Sequence, residues 1–227
     1  MIESGQVHLW WADLDAPRDA GAHPDDRREA ARLVDRRTRR RFLARRSILR
    51  ELLCRYLDCP SEQIVLSRTP SGRPELESPR SDLRFNTSSS EGTALFAITR
   101  GEAIGVDLEH SSRSSGLTSA DHLFLTVAER RMVSDVEPQL RPITRLQLWT
   151  LKEAVAKAMG TGLSTDPKEL EFRLMEGQSS TAVVSSDGAE WRGALIPTPG
   201  GVVAALAVRG DWDSCQQHRF TAARRTA

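Results

Sequence analysis

The 227-residue chain is nearly balanced in charge, with 32 basic and 31 acidic residues and a formal net charge of +1. This balance creates no general attraction to nucleic acid, and no apolar run approaches the 18 residues of a membrane span. The polar residues 1–5 are not typical of a signal peptide, and three cysteines without metal-ligand spacing do not predict a disulfide framework. We therefore expect a cytoplasmic protein without a membrane partner.

Hydrophobic periodicity and turn-forming residues divide the first half of the chain into short elements. We predict strands over residues 7–14 and 64–67, helices over 25–34 and 36–57, and a turn-rich segment over 70–79. Two alternating segments, 93–99 and 103–109, flank a three-residue turn and predict a hairpin.

The second half combines helical and extended patterns. A polar loop is predicted over residues 111–119, helices over 120–136 and 144–159, and strands over 170–175, 181–185, 191–197 and 202–208. Residues 211–227 predict a flexible basic tail. Strands and helices recur in both halves without a sequence repeat, which indicates an α+β protein.

The helix predicted over residues 36–57 belongs to an arginine-rich segment. Residues 27–55 contain twelve arginines and only three acids. Apolar residues keep helical spacing within the segment, so we predict a folded amphipathic helix. The arginines fit a solvated face or a surface that binds phosphate or nucleic acid. Nucleic acid is the less favoured ligand, because no nucleic-acid motif or aromatic stacking set accompanies the arginines.

Two acidic residues mark the strand predicted at residues 103–109. Val106 and Leu108 alternate with Asp107 and Glu109. Because side chains alternate across a strand, the apolar pair faces a core and both carboxylates leave by the opposite face.

The helix predicted over residues 144–159 carries Glu153 and Lys157, which lie one turn apart on one face. The pair alone fits a surface ion pair. The chain has only three lysines, however, and Lys152 and Lys157 are two of them. Unlike arginine, lysine can act as an acid or base near neutral pH. With Asp107 and Glu109, Glu153 completes three carboxylates that could converge on Mg²⁺, which prefers oxygen ligands.

These two segments resemble a signature pair of a known family. Gly-x-Asp-x-Glu at residues 105–109 is followed by Trp-x-x-Lys-Glu-x-x-x-Lys-x-x-Gly-x-Gly-Leu at residues 149–163. In residue type, spacing and order they are similar to the motifs of the surfactin-synthetase-activating type of 4'-phosphopantetheinyl transferase. The resemblance extends to residues 72–74 and 85–90 and covers most of residues 27–175.

The resemblance implies a fold and an activity. The fold would be two similar α+β lobes, related as a pseudo-dimer, with the active site in the cleft between them. We expect lobes at residues 1–101 and 102–210. The enzyme would transfer the 4'-phosphopantetheine arm of coenzyme A, its co-substrate, to a serine of an acyl or peptidyl carrier protein. The reaction would need Mg²⁺ and release 3',5'-adenosine bisphosphate.

Other interpretations remain open. The chain could be a non-catalytic member of the same fold. It could also be a phosphate- or nucleic-acid-binding module that uses the arginine-rich helix. Under every interpretation, we expect a monomer.

The resemblance also implies residue roles. Asp107, Glu109 and Glu153 would hold the metal ion, Glu153 would accept the serine proton, and Lys157 would stabilise the leaving group. The residues expected to bind coenzyme A are Arg27, Arg28, Arg41, Arg73, Asn86, Ser88, Ser89, Lys152 and Lys157. Separately from the resemblance, we hypothesise that residues 111–133 dock the carrier, because Leu117, Leu123, Phe124 and Leu125 offer apolar contacts and Arg113, Arg130 and Arg131 could steer an acidic carrier.

One position departs from the family pattern. Family members usually carry histidine where this chain has Ser89, and that histidine helps to hold the phosphates of coenzyme A. A serine hydroxyl has less reach and cannot carry positive charge. We therefore expect a changed affinity for coenzyme A, or a changed preference for it over another donor, unless other groups have taken over the contact, with Arg41 and Arg73 as the first candidates.

Overall fold

The computed structural model describes residues 2–17, 22–69, 72–162, 165–172, 182–186, 189–198 and 200–221. The first half contains β1 (Gln6–Asp13), α1 (Pro24–Ala30), α2 (Arg36–Leu57), β2 (Val65–Arg68), β3 (Pro74–Ser78), β4 (Leu83–Ser90) and β5 (Thr93–Arg100). The second half contains β6 (Ile104–His110), α3 (Asp121–Phe124), α4 (Val127–Asp135), α5 (Arg141–Met159), β7 (Ala182–Ser186), β8 (Ala189–Leu195), β9 (Val202–Arg209) and β10 (Ser214–Arg219). Among these residues, no helix is both long and apolar enough to cross a membrane.

Helix α2 packs against the first four-stranded sheet, whose strand order is β10-β1-β5-β4. Asp35 caps the start of the helix by accepting a hydrogen bond from the Thr38 N–H, and Asp58 ends it in a left-handed conformation. The apolar stripe that includes Ile48 and Leu52 shares a core with Phe96 of β5. Full burial of each such side chain stabilises the fold by about 1.5–3 kcal/mol.

Helix α5 packs against the second four-stranded sheet, whose order is β6-β9-β8-β7. Gly105 of β6 allows an unusually close approach between strand and helix. A Cβ atom at Gly105 would lie 2.1 Å from the Ala154 carbonyl oxygen and 2.5 Å from the Ala158 nitrogen. The small residues of α5 therefore meet the Gly105 face of β6, which is also the face of Asp107 and Glu109.

A third apolar core joins the two sheets. It includes Leu9 of β1, Leu95 of β5, Val106 and Leu108 of β6, and Leu206 of β9. The predicted alternation along β6 is confirmed, since the apolar residues enter this core. The acidic face is not open to solvent, because α5 covers it, and Asp107 is 4% exposed.

Strand β4 lies beside β6 and joins it through alternate side chains. The Asn86 Oδ1 accepts a hydrogen bond from the Val106 N–H at 3.0 Å. The Ser90 Oγ accepts one from the His110 N–H at 3.2 Å. Polar side chains of the first sheet thus replace part of a backbone ladder and hold the acidic strand in place.

The α+β class is confirmed, but the hairpin predicted from residues 93–99 and 103–109 is wrong. Strand β5 pairs with β4 and β1, whereas β6 pairs with β9. The tight turn is at Glu91 and Gly92, which both have positive φ values, as two-residue hairpin turns require. The serine-rich segment before it is therefore strand β4, and the turn-rich residues 70–79 include strand β3.

The flexible tail predicted over residues 211–227 is also wrong over part of its length. Strand β10 pairs in parallel with β1. The Phe220 N–H then donates to the Trp11 carbonyl oxygen at 2.7 Å, and the Phe220 side chain is buried. The edge of β1 presents backbone groups that need partners, and the tail supplies them. Residues 222–227 lie outside the described residues.

The strand predicted over residues 170–175 and the predicted limits of the lobes are two further expectations. Residues 170–172 do not form the start of a strand, and residues 173–175 lie outside the described part of the chain. The limits at 101/102 and 210, and the equivalence of the two halves, stay predictions.

Candidate active site

Asp107 lies at the centre of a polar cluster between the two sheets. Its Oδ1 accepts a hydrogen bond from the Lys157 Nζ at 2.6 Å and one from the Ser88 hydroxyl at 3.0 Å. The Lys157 Nζ also donates to the Ser88 Oγ at 3.1 Å. Strand β4, strand β6 and helix α5 each supply one member, so the cluster exists only in the folded chain.

Asp107 has a second oxygen without a protein partner. The Oδ2 atom is buried and accepts no hydrogen bond from the described residues. A buried carboxylate oxygen without a partner is costly. This atom is therefore suited to a metal ion or to a donor from a ligand.

Glu153 lies one turn before Lys157 on α5, and it is partly buried. Burial raises the pKa of its carboxyl above the usual value, and the negative charge of Asp107 raises it further. Lys157 acts in the opposite direction. A carboxylate with a raised pKa is a stronger proton acceptor than an ordinary surface glutamate.

Glu109 lies two residues beyond Asp107 on β6 and is 7% exposed. Both of its oxygens accept hydrogen bonds from the Arg113 Nη1, at 2.9 and 2.7 Å. Burial and the charge of Asp107 nevertheless raise the pKa of Glu109. Two cations, Lys157 and Arg113, thus neutralise the two acids of the strand.

The predicted three-carboxylate metal site is not assembled in this arrangement. Among the described residues, no group of three His, Cys, Asp or Glu side chains lies close enough to hold a metal ion. The reason is local, because Arg113 draws Glu109 to itself and Lys157 occupies one oxygen of Asp107. The donor chemistry still fits Mg²⁺, which binds through one or two carboxylates together with water and phosphate oxygens. The unpartnered Oδ2 of Asp107 is one such oxygen.

The expectation that Lys152 binds coenzyme A is contradicted by its position. Lys152 is 1% exposed, and its Nζ lies 2.8 Å from the Glu129 Oε2. It also donates to the Pro167 carbonyl at 2.7 Å and to that of Leu170. Burial lowers the pKa of Lys152, and Glu129 opposes that effect. Lys152 is directed into the core beneath α5, so its role is structural.

The residues of strand β4 that are predicted to bind coenzyme A lie on its two opposite faces. Asn86 and Ser88 face β6, where Asn86 holds Val106 and Ser88 holds Asp107. Asn86 is 4% exposed, so its expected contact with coenzyme A is not supported. Ser89 lies on the other face of β4, where its Oγ is 3.4 Å from the Arg45 Nη1.

The two arginines expected to replace the missing histidine are both engaged elsewhere. The Arg41 Nε donates to the Asp15 Oδ1 at 2.9 Å, and its Nη2 bonds to the other oxygen of Asp15. This ion pair holds the pKa of Asp15 well below its usual range. The Arg73 guanidinium donates to the Lys157 carbonyl at 2.9 Å and to Glu75 at 2.7 Å. Arg73 therefore binds the last turn of α5.

Arg27 and Arg28 lie on α1, away from Lys157. Arg27 is exposed and lines a separate cavity of about 510 Å³ beside Asp15 and Arg40. Arg28 is exposed and pairs with Asp25. The structure does not bring either arginine to the Asp107 cluster.

A cavity of about 350 Å³ opens beside the cluster, between α2 and β4. Its lining includes Lys157, Ser88, Ser89, Arg45, Arg46 and Arg68. Four of these six side chains are basic. The cavity is therefore suited to an anionic ligand that reaches the Lys157 end.

Sequence reasoning missed the buried ion pairs of the arginine-rich helix. Arg46 and Arg50 approach Asp26 at 2.9 and 2.7 Å, and all three side chains are buried. Helical periodicity places both arginines on one face, four residues apart, but it cannot show that an acid from α1 covers them.

The segment predicted to dock the carrier is only partly exposed. Leu123 and Val127 are exposed, and so are Arg130 and Arg131. Phe124 and Leu125 instead belong to the core beneath α5, being 2% and 0% exposed. These two cannot contact a carrier protein.

Comparison with known proteins supports the family resemblance. Residues 103–207 match the model of the 4'-phosphopantetheinyl transferase superfamily, and residues 20–99 match the model described as 4'-phosphopantetheinyl transferase, N-terminal. A relative, 4'-phosphopantetheinyl transferase HetI of Nostoc sp. (strain PCC 7120 / SAG 25.82 / UTEX 2576), is 31% identical over 215 residues, which cover 91% of this chain and 89% of HetI. The L-aminoadipate-semialdehyde dehydrogenase-phosphopantetheinyl transferase of Homo sapiens is 28% identical over 163 residues, which cover 66% of this chain and 52% of the relative.

Among solved structures, a holo-(acyl-carrier-protein) synthase from Bacillus anthracis str. Ames in complex with CoA (3',5'-ADP) aligns with a TM-score of 0.42 and 20% identity. The alignment covers 48% of this chain and 96% of the synthase. The sequence relationships are the stronger finding, because the two family models cover both halves and HetI is similar over nearly the whole length. This chain belongs to the 4'-phosphopantetheinyl transferase superfamily.

Proposed function

We propose that this enzyme transfers the 4'-phosphopantetheine arm of coenzyme A to a serine of a carrier protein and releases 3',5'-adenosine bisphosphate. The observation that carries the proposal is the cluster of Asp107, Lys157 and Ser88, with Glu153 on the adjacent turn and a basic cavity beside it. Family membership supplies the reaction class, and the cluster supplies the groups that such a reaction needs.

Glu153 is the proposed proton acceptor. It is partly buried, it has a raised pKa, and no described side chain forms a hydrogen bond with it. Its carboxylate is therefore free to accept the proton of the carrier serine as the hydroxyl oxygen attacks the phosphorus on the pantetheine side.

Lys157 is the proposed group that stabilises the leaving phosphate. Its ammonium group lies at the wall of the cavity and is held there by Asp107 and Ser88. Negative charge grows on the departing 3',5'-adenosine bisphosphate when the phosphoanhydride bond breaks. A fixed positive charge at that point lowers the barrier without reorganisation.

Mg²⁺ is the proposed cofactor, and Asp107 would hold it through the unpartnered Oδ2. Glu109 and Glu153 would complete the carboxylate set, with Arg113 releasing Glu109. When bound, the ion would neutralise charge on the pyrophosphate.

We further infer the surfactin-synthetase-activating type, with two related lobes and the site between them. Each of the two four-stranded sheets packs against one long helix, and Ser88 and Asp107 come from different sheets. The arginine-rich helix is less suited to nucleic acid than its composition indicates. Arg46 and Arg50 pair with Asp26, and Arg41 pairs with Asp15.

The proposal is tested by incubating the protein with coenzyme A, Mg²⁺ and an unmodified carrier protein, followed by intact mass measurement of the carrier. We expect the mass of one phosphopantetheine arm to be added, and we expect no addition in excess chelator. Transfer that continues at the same rate in chelator would contradict the metal assignment. An unmodified carrier under all conditions, with several carriers tried, would favour a non-catalytic member of the fold.

A further inference from the structure

The cavity beside Lys157 is lined by more basic side chains than neighbouring carboxylates neutralise. Four basic residues line it: Arg45, Arg46, Arg68 and Lys157. Three of them have carboxylate partners. Arg46 pairs with Asp26 at 2.9 Å and Lys157 with Asp107 at 2.6 Å, while Arg68 pairs with Glu29.

Arg45 is different. Within the described part of the chain, no carboxylate lies within ion-pair distance of it, and its polar contact is the Ser89 Oγ at 3.4 Å from Nη1. The side chain is partly buried between α2 and β4, so water does not fully solvate it. Burial and the charge of Arg46 lower the pKa of Arg45. Guanidinium nevertheless stays protonated at physiological pH.

A partly buried cation without an anion is an unfavourable arrangement unless a ligand provides the anion. A guanidinium group matches phosphate in shape and can donate two parallel hydrogen bonds to it. Arg45 is also next to Ser89, the position where the family resemblance places a phosphate-binding histidine. The Arg45 side chain reaches Ser89 from the facing helix α2.

We propose that Arg45, assisted by the Ser89 hydroxyl, binds a phosphate group of coenzyme A and takes the place of the missing histidine. This inference rests on the proposed function, because it requires coenzyme A to occupy this cavity. The replacement has a chemical consequence. An arginine contact keeps its charge at all physiological pH values, whereas a histidine contact loses its charge as pH rises through about 6.5.

The direct test is calorimetric titration of wild type and Arg45→Gln with coenzyme A and with dephospho-coenzyme A, which lacks the 3'-phosphate. We expect Arg45→Gln to bind coenzyme A about 10- to 100-fold more weakly, as for loss of a hydrogen-bonded charge. Loss with coenzyme A alone would assign the contact to the 3'-phosphate. Equal loss with both ligands would assign it to the pyrophosphate, and both results support the proposal.

The matched control is Arg36→Gln. Arg36 is exposed in the first turn of the same helix and does not line this cavity. It removes the same charge from α2, so a general electrostatic effect would weaken binding equally in both variants. Thermal unfolding of both variants checks that the fold is retained.

A second test replaces the arginine contact with a histidine contact. In the Arg45→Gln background, Ser89→His should recover part of the affinity, and the recovery should shrink between pH 6 and pH 8. In the presence of Arg45, Ser89→His should bring no gain, because the imidazolium would repel the guanidinium. Any change in the protonation of coenzyme A with pH is the same for every variant. Affinities are therefore compared only between variants at the same pH. No recovery in the double variant would show that position 89 does not face the phosphate, which would overturn the replacement.

Failure of this inference can be told from failure of the proposed function. Wild-type affinity for coenzyme A retained in Arg45→Gln, with carrier modification intact, would overturn the role of Arg45 alone. Wild type that neither binds coenzyme A nor modifies a carrier would remove both proposals.

Discussion

At the scale of single residues, the site depends on how Asp107 divides its two oxygens. One oxygen binds Lys157 and Ser88, and the other is buried without a partner. The first holds the cationic side chain at the cavity wall. The second is the oxygen that remains for a metal ion. The same carboxylate therefore positions the proposed catalytic lysine and offers an oxygen to the proposed cofactor.

Asp107→Asn and Glu153→Gln should each reduce carrier modification by at least about 100-fold while the fold survives. The asparagine removes the charge that holds Lys157, and the glutamine removes the proton acceptor. Steady-state turnover at saturating Mg²⁺ measures the effect, and circular dichroism confirms the fold. Glu102→Gln, an exposed acid outside the cluster, is the control. Turnover near the wild-type value in either variant would show that its role is misassigned.

At the scale of elements, helix α5 separates two functions on neighbouring residues. Lys157 binds Asp107 of β6 and lines the cavity, with Glu153 one turn before it, whereas Lys152 is directed into the core below. The Lys152 ammonium meets Glu129, which also accepts hydrogen bonds from the Thr126 and Phe172 N–H groups at 2.8 and 2.9 Å. Glu129 thereby connects helix α4 to α5 and to the segment that follows α5.

Lys152→Met should destabilise the protein by about 3–5 kcal/mol, because it leaves the charge of Glu129 buried without its cation. Urea unfolding measures the free-energy difference, and Lys168→Met provides the control because Lys168 is exposed. Affinity for coenzyme A, measured where the variant is folded, should stay near the wild-type value. Weaker binding with unchanged stability would restore the expectation that Lys152 is a ligand-binding residue.

Strand β1 contributes a pH-dependent element away from the site. The Trp10 Nε1 donates to the Tyr56 oxygen at 2.8 Å, which leaves the Tyr56 hydroxyl to donate to the His8 Nδ1 at 2.7 Å. His8 accepts this bond only when it is neutral. Burial, followed by the charge of His218, lowers the pKa of His8.

Because the pKa of His8 is lowered in the folded state, the unfolded chain binds more protons between that value and about 6.5. Stability should therefore decrease as pH falls from about 6.5 through the lowered pKa. In His8→Gln this part of the pH dependence should disappear, as measured by urea unfolding between pH 5 and pH 8. His122→Gln, an exposed histidine, should keep the wild-type slope. An identical slope in wild type and His8→Gln would contradict this account.

At the scale of the whole molecule, the chain closes on itself. Strand β10 returns from the end of the chain to the outer edge of β1, and Phe220 enters the core beside α2. The first sheet therefore contains strands from both ends of the chain.

A chain that ends at Asp211 should be less stable than wild type by about 3–5 kcal/mol, from the loss of Phe220 alone. A chain that ends at Thr221 retains β10 and Phe220 and is the matched control. Thermal unfolding compares the two truncated chains. Equal melting temperatures would restore the prediction of a flexible tail from residue 211.

Much of the fold and part of the site follow from local patterns. The bounds of α2, the alternation of β6 and the helical spacing of Glu153 and Lys157 are properties of short windows, so the sequence predicts them well. The strand partners of β5 and β6 are not local properties. Glu91–Gly92 competes with residues 100–102 as a hairpin turn, and the positive φ values at the first pair decide between them.

By itself, the sequence determined the α+β class and the family, and it indicated Asp107, Glu153 and Lys157 as candidate site residues, because the motifs record residue type and spacing directly. Only the tertiary structure decided which of the many basic side chains remain free. Asp15, Asp26 and Glu129 neutralise Arg41, Arg46 and Lys152 from distant points of the chain, whereas Arg45 has no carboxylate partner among the described residues. Ion pairing depends on distance in space, and a linear pattern of charges does not contain that distance.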